Sequence, residues 1–368
     1  MRPETARVAD GEAARRILLA TPGFEAALAA ELPPDWQAQA DPAWPGLVRA
    51  REPAPDAPPC DPAFARQQLP DAQALQGASV AALAEAAYAR CEAALDRAAG
   101  PFTLHAFALT GADPRLHNRA ELIGAETLAL LRQRRRRASR AYLPPDQAAP
   151  SFGSLALVVQ LVLLEREGGY LSAAPPRPLA RGGCVLGPWP GGVAPVADDR
   201  RPPSRAYRKL EEAFCWMNDQ PRSGELCVDL GGAPGGWSYT ALKRGARVIA
   251  VDRSPLAPEL LRDDRLTMVE GNAFTYQPPR PVDWLLSDVV CEPPRALALI
   301  EQWVSRRACR KLVVTVKFKG RDGYGFLGVV RAALAQAPLG HARIKHLVHN
   351  KNEVTVMAAL VASDGGTW

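Results

Sequence analysis

The segment Asp229-Leu-Gly-Gly-Ala-Pro-Gly-Gly-Trp237 places four glycines between a strand-like run and a helix-like run. Glycine lets a ligand approach the backbone closely, and the first turn of the helix that follows presents free N–H groups to an anion. The dinucleotide-binding pattern G-x-G-x-x-G does not fit, because its second glycine is replaced by Ala233 or Pro234, depending on where the count begins. The segment therefore predicts a strand-turn-helix unit that binds a nucleoside bearing a carboxylate. The alternative is a tight turn that needs glycine without any ligand.

Strand-like and helix-like runs alternate around this turn, which predicts a doubly wound, largely parallel α/β sheet. A helix is predicted over residues 204–218, with Ser204 as its N-cap. The runs at 343–348 and 354–360 are too close together for a parallel crossover, so they predict an antiparallel hairpin at the sheet edge. The other predicted strands are 226–230, 247–251, 266–269, 284–287 and 312–316, and the other predicted helices begin at 235 or span 294–307 and 324–337.

The sequence before residue 204 predicts an α+β region. Strands are predicted at 16–20, 102–109 and 155–164, and helices at 25–32, 80–98 and 121–140. Proline-rich breaks at 53–62 and 174–203 interrupt these patterns. We therefore predict a small domain over 1–58, a second domain over 59–173, a linker over 174–203 and the α/β domain over 204–368.

Composition excludes several classes of protein. With 47% hydrophobic and 23% charged residues, the 368-residue chain is not disordered throughout, and its net charge of +6 weakly favours anionic partners. The first residues do not resemble a signal peptide, and the longest apolar run, 155–164, is too short to span a membrane. Seven scattered cysteines without C-x-x-C spacing predict reduced thiols and no metal site. We expect a soluble protein of the cytoplasm.

Two lysines and two acidic residues are predicted to meet at the edge of the sheet where the parallel strands end. Asp288 and Lys317 directly follow predicted strands, Glu353 opens the final antiparallel strand, and Lys209 lies at the margin of the apolar helix face. Each has an ordinary explanation alone, such as a surface lysine or a cap. Together they fit activation of a ribose 2′-hydroxyl, with Lys317 as general base, both acids orienting it and Lys209 either holding the substrate oxygen or tuning the charge of the site. Lys319, on the same strand face, is an alternative base.

S-adenosylmethionine (SAM) fits the glycine turn, since it carries a carboxylate and a ribose. Asp252 ends the next predicted strand about 20 residues further on, where an acid would bind the ribose hydroxyls.

The segments 204–214, 229–237, 286–288, 316–317 and 352–356 resemble the FtsJ-like ribose methyltransferases that carry a Lys-Asp-Lys-Glu tetrad. The resemblance is greatest to the bacterial group that methylates a cytidine of 23S ribosomal RNA. It implies a Rossmann-like SAM-dependent methyltransferase domain and the catalytic tetrad Lys209, Asp288, Lys317 and Glu353. It also implies that 23S ribosomal RNA or a ribosome assembly precursor is the partner. Pro22-Gly-Phe-Glu25 and Phe64-Ala-Arg66 resemble, more faintly, the ferredoxin-like and THUMP modules of that group.

The resemblance also implies a set of cofactor contacts. The group usually has an acid after the third strand, where this chain has Asn272, whose carbonyl oxygen can still accept a hydrogen bond from the adenine amino group. The predicted cofactor-binding residues are Asp229, Gly231, Ala233, Pro234, Gly235, Gly236, Trp237, Asp252, Asn272 and Asp288.

A dense basic run at the end of a predicted helix is interpreted as an RNA phosphate contact, although a solvated helix face is an alternative. The predicted RNA-binding residues are Arg134, Arg135, Arg136, Arg137 and Arg205. Three other functions stay open. One is methylation of another RNA, a protein or a small molecule. Methyl transfer to a protein or a small molecule would survive RNase treatment of the substrate. Another is non-catalytic RNA binding on the same scaffold. A dehydrogenase is the weakest alternative.

Overall fold

The computed structural model describes residues 15–54, 56–320 and 322–361. The chain forms two compact units. The first contains the described residues up to 179 together with 184–193, and the second contains 180–183 together with the described residues from 194 onward. All three borders between these stretches fall inside the proline-rich segment 174–203. Within the described residues, no helix is both long enough and apolar enough to cross a membrane.

The first unit contains one seven-stranded sheet in the order β2-β3-β1-β4-β7-β6-β5. Its strands are β1 (Arg15–Leu19), β2 (Gln39–Ala40), β3 (Leu47–Arg51), β4 (Gln67–Gln76), β5 (Phe102–Ala108), β6 (Leu157–Glu165) and β7 (Gly168–Ala174). All neighbouring strands are antiparallel except β5 and β6. Because β4 pairs with both β1 and β7, one sheet runs through the segments predicted as domains 1–58 and 59–173. The ferredoxin-like and THUMP-like assignments stay predictions.

Helices cover the first sheet. They are α1 (Glu25–Glu31), α2 (Val80–Arg97), α3 (Pro114–Arg134), α4 (Arg136–Ser139) and α5 (Pro145–Ala148). The helix predicted over 121–140 is wrong at both ends. It begins at Pro114, because Asp113 caps it by accepting a hydrogen bond from the Arg115 N–H at 2.8 Å. It is interrupted at Arg135, whose φ of −133° and ψ of 54° are not helical.

A histidine is buried in this unit without a hydrogen-bond partner. His105 on β5 is fully buried, neither ring nitrogen is hydrogen-bonded, and the ring stacks on Phe152 with centroids 6.3 Å apart. Burial disfavours the charged imidazolium, so it lowers the pKa of His105 to about 3.

We expect His105 to make the first unit less stable as the pH falls. The unfolded histidine binds a proton near its ordinary pKa of about 6.5, whereas the folded ring stays neutral down to about pH 3. The unfolded state therefore binds more protons between these values, and at pH 5 the loss is about 2 kcal/mol. Urea unfolding of the wild type and His105→Leu at pH 7 and pH 5 measures this loss. A pH dependence identical in the two proteins would contradict it.

The second unit contains a seven-stranded sheet in the order β10-β9-β8-β11-β12-β14-β13. Its strands are β8 (Leu226–Leu230), β9 (Arg247–Asp252), β10 (Leu266–Glu270), β11 (Val282–Ser287), β12 (Cys309–Lys317), β13 (Leu339–Lys345) and β14 (Glu353–Leu360). The first five strands in this order are mutually parallel, and β14 runs antiparallel to both β12 and β13. The predicted fold class of this part, a mostly parallel sheet with a final antiparallel hairpin, is confirmed.

The helices of this unit are α6 (Tyr207–Met217), α7 (Gly236–Lys243), α8 (Pro293–Ser305) and α9 (Leu327–Gln336). The prediction that Ser204 caps the first of them is wrong. Arg205 and Ala206 form a preceding turn, and Ala206 is the N-cap, without a side-chain hydrogen bond. Ser204 instead packs against α7, since a β-carbon at Gly236 would lie 2.4 Å from its Oγ. The helix predicted from residue 324 begins at Leu327, after a 3-10 turn.

Candidate active site

The glycine turn between β8 and α7 requires glycine at specific positions. Gly231 has a φ of +73°, and a β-carbon there would lie 2.9 Å from Val289 Cβ. Gly235 has a φ of +115°, and a β-carbon there would lie 2.2 Å from Leu260 Cδ1. L-residues rarely adopt these angles, so both positions need glycine for backbone conformation as well as for space. At Gly231, the backbone of the turn therefore lies directly against Val289 in the segment that follows β11.

Two acids support this turn. Asp229 is buried and its Oδ2 accepts a hydrogen bond from Ser238 Oγ at 2.7 Å. Burial raises the pKa of Asp229 to about 7, and the hydrogen bonds from Ser238 oppose that rise. Asp252, the last residue of β9, accepts hydrogen bonds from the Ala233 N–H at 3.0 Å and the Ser254 N–H at 2.9 Å. Asp252 therefore lies directly against the glycine turn.

The other predicted cofactor residues occupy several environments. Trp237 is buried, and its Nε1–H donates to the Ala206 carbonyl at 2.9 Å, so the indole joins α7 to the start of α6. Asn272 lies just beyond β10, and its Oδ1 accepts a hydrogen bond from the Phe274 N–H at 3.1 Å. A carbonyl oxygen has two lone pairs, so Asn272 keeps one acceptor position for a ligand.

The structure brings the four predicted catalytic side chains into one closed ring. Lys209 Nζ lies 3.0 Å from Asp288 Oδ2 and 2.6 Å from Glu353 Oε1. Lys317 Nζ lies 2.8 Å from Asp288 Oδ1 and 3.5 Å from Glu353 Oε2. Each ammonium therefore contacts both carboxylates, and positive and negative groups alternate around the ring.

The fold explains why the ring closes. Lys317 ends β12 and Glu353 begins β14, and these two residues are paired across the antiparallel ladder. Asp288 directly follows β11, the parallel neighbour of β12, while Lys209 comes from α6. Thr315, which sequence reasoning missed, donates its hydroxyl hydrogen to Asp288 Oδ1 at 2.8 Å. Its signal in the sequence was a polar side chain inside an apolar strand, two residues before Lys317.

The charges in the ring stabilise one another. Burial alone would raise the pKa of Asp288, but the positive charges of Lys209 and Lys317 outweigh it and hold that pKa below its ordinary value. Burial alone would lower the pKa of Lys209, but Asp288 and Glu353 outweigh it and raise that pKa. Asp288 is therefore an anion and Lys209 a cation at neutral pH.

Lys319 is not part of this ring. Its side chain is 84% exposed, and its ammonium pairs with Glu292. Geometry therefore favours Lys317 over Lys319 as the lysine available for chemistry in the ring.

The predicted RNA-binding arginines differ in their partners. In the first unit, Arg134 pairs with Glu85 at 2.6 Å, and Arg135 pairs with Asp96 and with Glu92. Arg136 and Arg137 are exposed, and both line a cleft of about 610 Å³. The cleft is lined by Leu95, Ala98, Ala99, Gly100, Arg134, Arg135, Arg136, Arg137, Ala138 and Ala141. Arg205, in the second unit, is exposed. Among the described residues, no group of histidine, cysteine and acidic side chains is arranged to hold a metal ion.

The chain matches one protein-family model and several individual proteins. A family model described as FtsJ-like methyltransferase matches residues 202–317. The chain is similar to proteins named Ribosomal RNA large subunit methyltransferase M from three bacteria. The relative from Thauera aminoaromatica is 32% identical over 234 residues, which cover 61% of this chain and 59% of the relative. The relative from Aromatoleum aromaticum is 36% identical over 185 residues, which cover 48% of this chain and 50% of the relative. The relative from Methylococcus capsulatus is 37% identical over 184 residues, which cover 48% of this chain and 52% of the relative.

The chain thus spans between about half and three fifths of the length of these curated relatives. The matched region of the family model contains α6, the glycine turn, Asp288 and Lys317. Residues 202–317 are therefore similar in sequence to FtsJ-like methyltransferases.

Proposed function

We propose that the chain transfers a methyl group from SAM to the 2′-oxygen of a ribose in ribosomal RNA, with a cytidine of 23S ribosomal RNA as its target. The observation that carries this proposal is the closed ring of Lys209, Asp288, Lys317 and Glu353 beside the glycine turn. Such a ring suits deprotonation of a weakly acidic hydroxyl. The names of the relatives support the choice of large-subunit ribosomal RNA.

The residues around the glycine turn fit SAM. A β-carbon at Gly231 would collide with Val289, so the backbone of the turn lies unusually close to the strand ends where a ligand binds. Main-chain N–H groups at the start of α7 would bind the cofactor carboxylate, Asp252 would bind the ribose hydroxyls, and Asn272 would bind the adenine amino group. When bound, SAM supplies a methyl group on a cationic sulfur, from which it passes to an oxygen nucleophile as S-adenosylhomocysteine forms.

The proposed mechanism assigns a distinct task to each member of the ring. Lys317, after its ammonium has released a proton to solvent, takes the proton of the 2′-hydroxyl onto Nζ. Lys209, kept positively charged by Asp288 and Glu353, stabilises the negative charge that develops on the 2′-oxygen. Asp288 and Glu353 hold both lysines at fixed positions, which matters because orientation provides much of the rate acceleration in reactions of this kind.

The first test is methyl transfer to defined RNAs. The protein is incubated with labelled SAM and unmodified 23S or 16S transcripts, and also with ribosomal precursor particles. We expect label in 23S RNA or its particles and none in 16S RNA. Label that survives RNase digestion of the acceptor would instead favour a protein or small-molecule substrate. SAM and RNA binding without any transfer would favour a non-catalytic role.

A second test concerns the arginine cleft of the first unit, in which we propose that the exposed Arg136 and Arg137 bind RNA phosphates. Arg136→Ala/Arg137→Ala is expected to weaken RNA binding about tenfold at low salt. It should also reduce the slope of log K against log salt by about 1.4 to 1.8, because each released phosphate contact contributes about 0.7 to 0.9. Arg134→Ala is the matched control, because Arg134 already pairs with Glu85 and is expected to lose less affinity. Equal losses in both variants, measured by fluorescence anisotropy, would count against the cleft.

A further inference from the structure

Glu212 is a buried acid that lies one helical turn after Lys209 on α6, and its side chain has no role in the proposed mechanism. It is 1% exposed. Its Oε1 accepts a hydrogen bond from the Val348 N–H at 2.9 Å, and its Oε2 accepts one from the His349 N–H at 3.3 Å. Because burying a carboxylate is costly unless it is well hydrogen-bonded, these contacts require an explanation. They connect α6 to the 346–352 loop, the segment between β13 and β14.

The 346–352 loop is itself bonded to Glu353. The Asn350 Nδ2 donates to the Glu353 carbonyl and to Thr355 Oγ1, both at 3.1 Å. The Lys351 N–H approaches Glu353 Oε1 at 3.4 Å, and the Lys351 carbonyl lies 2.8 Å from His346 Nε2. A displacement of this loop would therefore move the Glu353 carboxylate as well.

In the ring of charges, the sheet fixes the positions of Lys317 and Glu353 but not the position of Lys209. Lys317 and Glu353 are paired directly across the ladder between β12 and β14. Lys209, in contrast, belongs to a helix and must meet Glu353 at 2.6 Å across the interface between helix and sheet. Glu212 bonds that helix to the loop that immediately precedes Glu353.

We propose that Glu212 is a positioning residue, which fastens the 346–352 loop to α6 and so sets the distance between Lys209 and Glu353. This inference rests on the proposed function for its kinetic consequence, but its structural consequence can be measured separately. The carboxylate form is needed, because the two main-chain N–H groups donate to two different oxygens, Oε1 and Oε2, and both positions must therefore be acceptors. Misplacement of a reacting group by about 1 Å can reduce a rate about 100-fold, so a small shift of the loop would be visible in kcat.

The experiment compares Glu212→Gln with Glu211→Gln. In glutamine an NH₂ group, which only donates, replaces one of the two oxygens, so one of the two loop N–H groups faces a donor in place of its acceptor. Glu211, the adjacent residue on the same helix, pairs with Arg244 and makes the matched control for loss of a charged helix contact. We expect Glu212→Gln to lower kcat about 10- to 100-fold, with KM for RNA and Kd for SAM changed less than twofold. We expect Glu211→Gln to leave kcat within twofold.

Hydrogen exchange provides the readout that does not depend on activity. The amides of Val348 and His349 are expected to exchange at least tenfold faster in Glu212→Gln than in the wild type, and not in Glu211→Gln. Glu212→Asp, which keeps both acceptor oxygens, is expected to recover part of the kcat, and it provides a second variant if the glutamine protein does not fold. Unchanged exchange at residues 348 and 349, or an unchanged kcat in an active protein, would overturn the inference. If the wild-type protein transfers no methyl group but these amides still exchange faster in Glu212→Gln, the proposed function is rejected and the inference about the loop stands.

Discussion

Lys317→Ala is expected to reduce methyl transfer about 10²- to 10⁴-fold, which is the range that a general base contributes. The variant removes the group that takes the 2′-hydroxyl proton in the proposed mechanism. Its side chain contacts Asp288 and Glu353, and of these only Asp288 is also a predicted SAM contact, whereas the other proposed SAM contacts lie on the glycine turn, Asp252 and Asn272. SAM affinity should therefore change less than about threefold. Single-turnover rates with labelled SAM and calorimetric titration with SAM measure the two quantities.

Lys319→Ala is the control for this experiment. Lys319 is also a lysine, two residues away, but it is exposed and pairs with Glu292 outside the ring. Its variant should transfer methyl groups at the wild-type rate within about twofold. Equal rates in Lys317→Ala and the wild type, together with a large loss in Lys319→Ala, would show that the base is Lys319.

Gly231→Ala is expected to weaken SAM binding at least about 30-fold. An alanine at φ +73° costs about 1 to 2 kcal/mol in backbone conformation alone. Its β-carbon would also lie 2.9 Å from Val289 Cβ and 3.2 Å from Val289 Cα, so a rotation of the valine side chain cannot relieve the contact. Either the glycine turn or the segment carrying Asp288 must move, and both border the proposed cofactor site.

Gly224→Ala separates the backbone effect from the contact effect. Gly224 has a φ of +84°, but no atom lies within 4 Å of the position its β-carbon would take. It should lose thermal stability like Gly231→Ala but keep its affinity for SAM. Calorimetric titration and thermal unfolding distinguish the two variants. A Gly231→Ala protein that binds SAM as tightly as Gly224→Ala would contradict the assigned role of the turn.

The fold of the second unit could be predicted from the sequence because its strands are short and mostly apolar, and the helices α7, α8 and α9 separate three pairs of consecutive strands. Such alternation allows few topologies, and the short connection between the last two runs requires an antiparallel hairpin. The meeting of Asp288, Lys317 and Glu353 follows from that topology, since strand ends share one edge. Glu212 could not be recognised in the same way, because its partners are main-chain N–H groups of a loop that has no periodic pattern.

The first unit was harder to predict, and β4 shows why. Its sequence contains Pro70 and Asp71, and Asp71 adopts a φ of +46°. Proline inside a strand normally argues against that strand, and here it lies next to an irregularity in the pairing of β1 with β4. Local pattern therefore gave no strand at 67–76, although this strand joins the two halves of the sheet. Long-range pairing decided the structure in place of local propensity.

The position of the transferred methyl group tests the central claim most directly. Unmodified 23S transcript is methylated with labelled SAM and then hydrolysed in alkali, which cleaves RNA only where a 2′-hydroxyl is free to attack the adjacent phosphate. A 2′-O-methyl group therefore protects its own linkage. We predict that all label appears in alkali-resistant dinucleotides that contain 2′-O-methylcytidine. Label in mononucleotides, on a base, would contradict a ring of lysines and acids acting on the ribose.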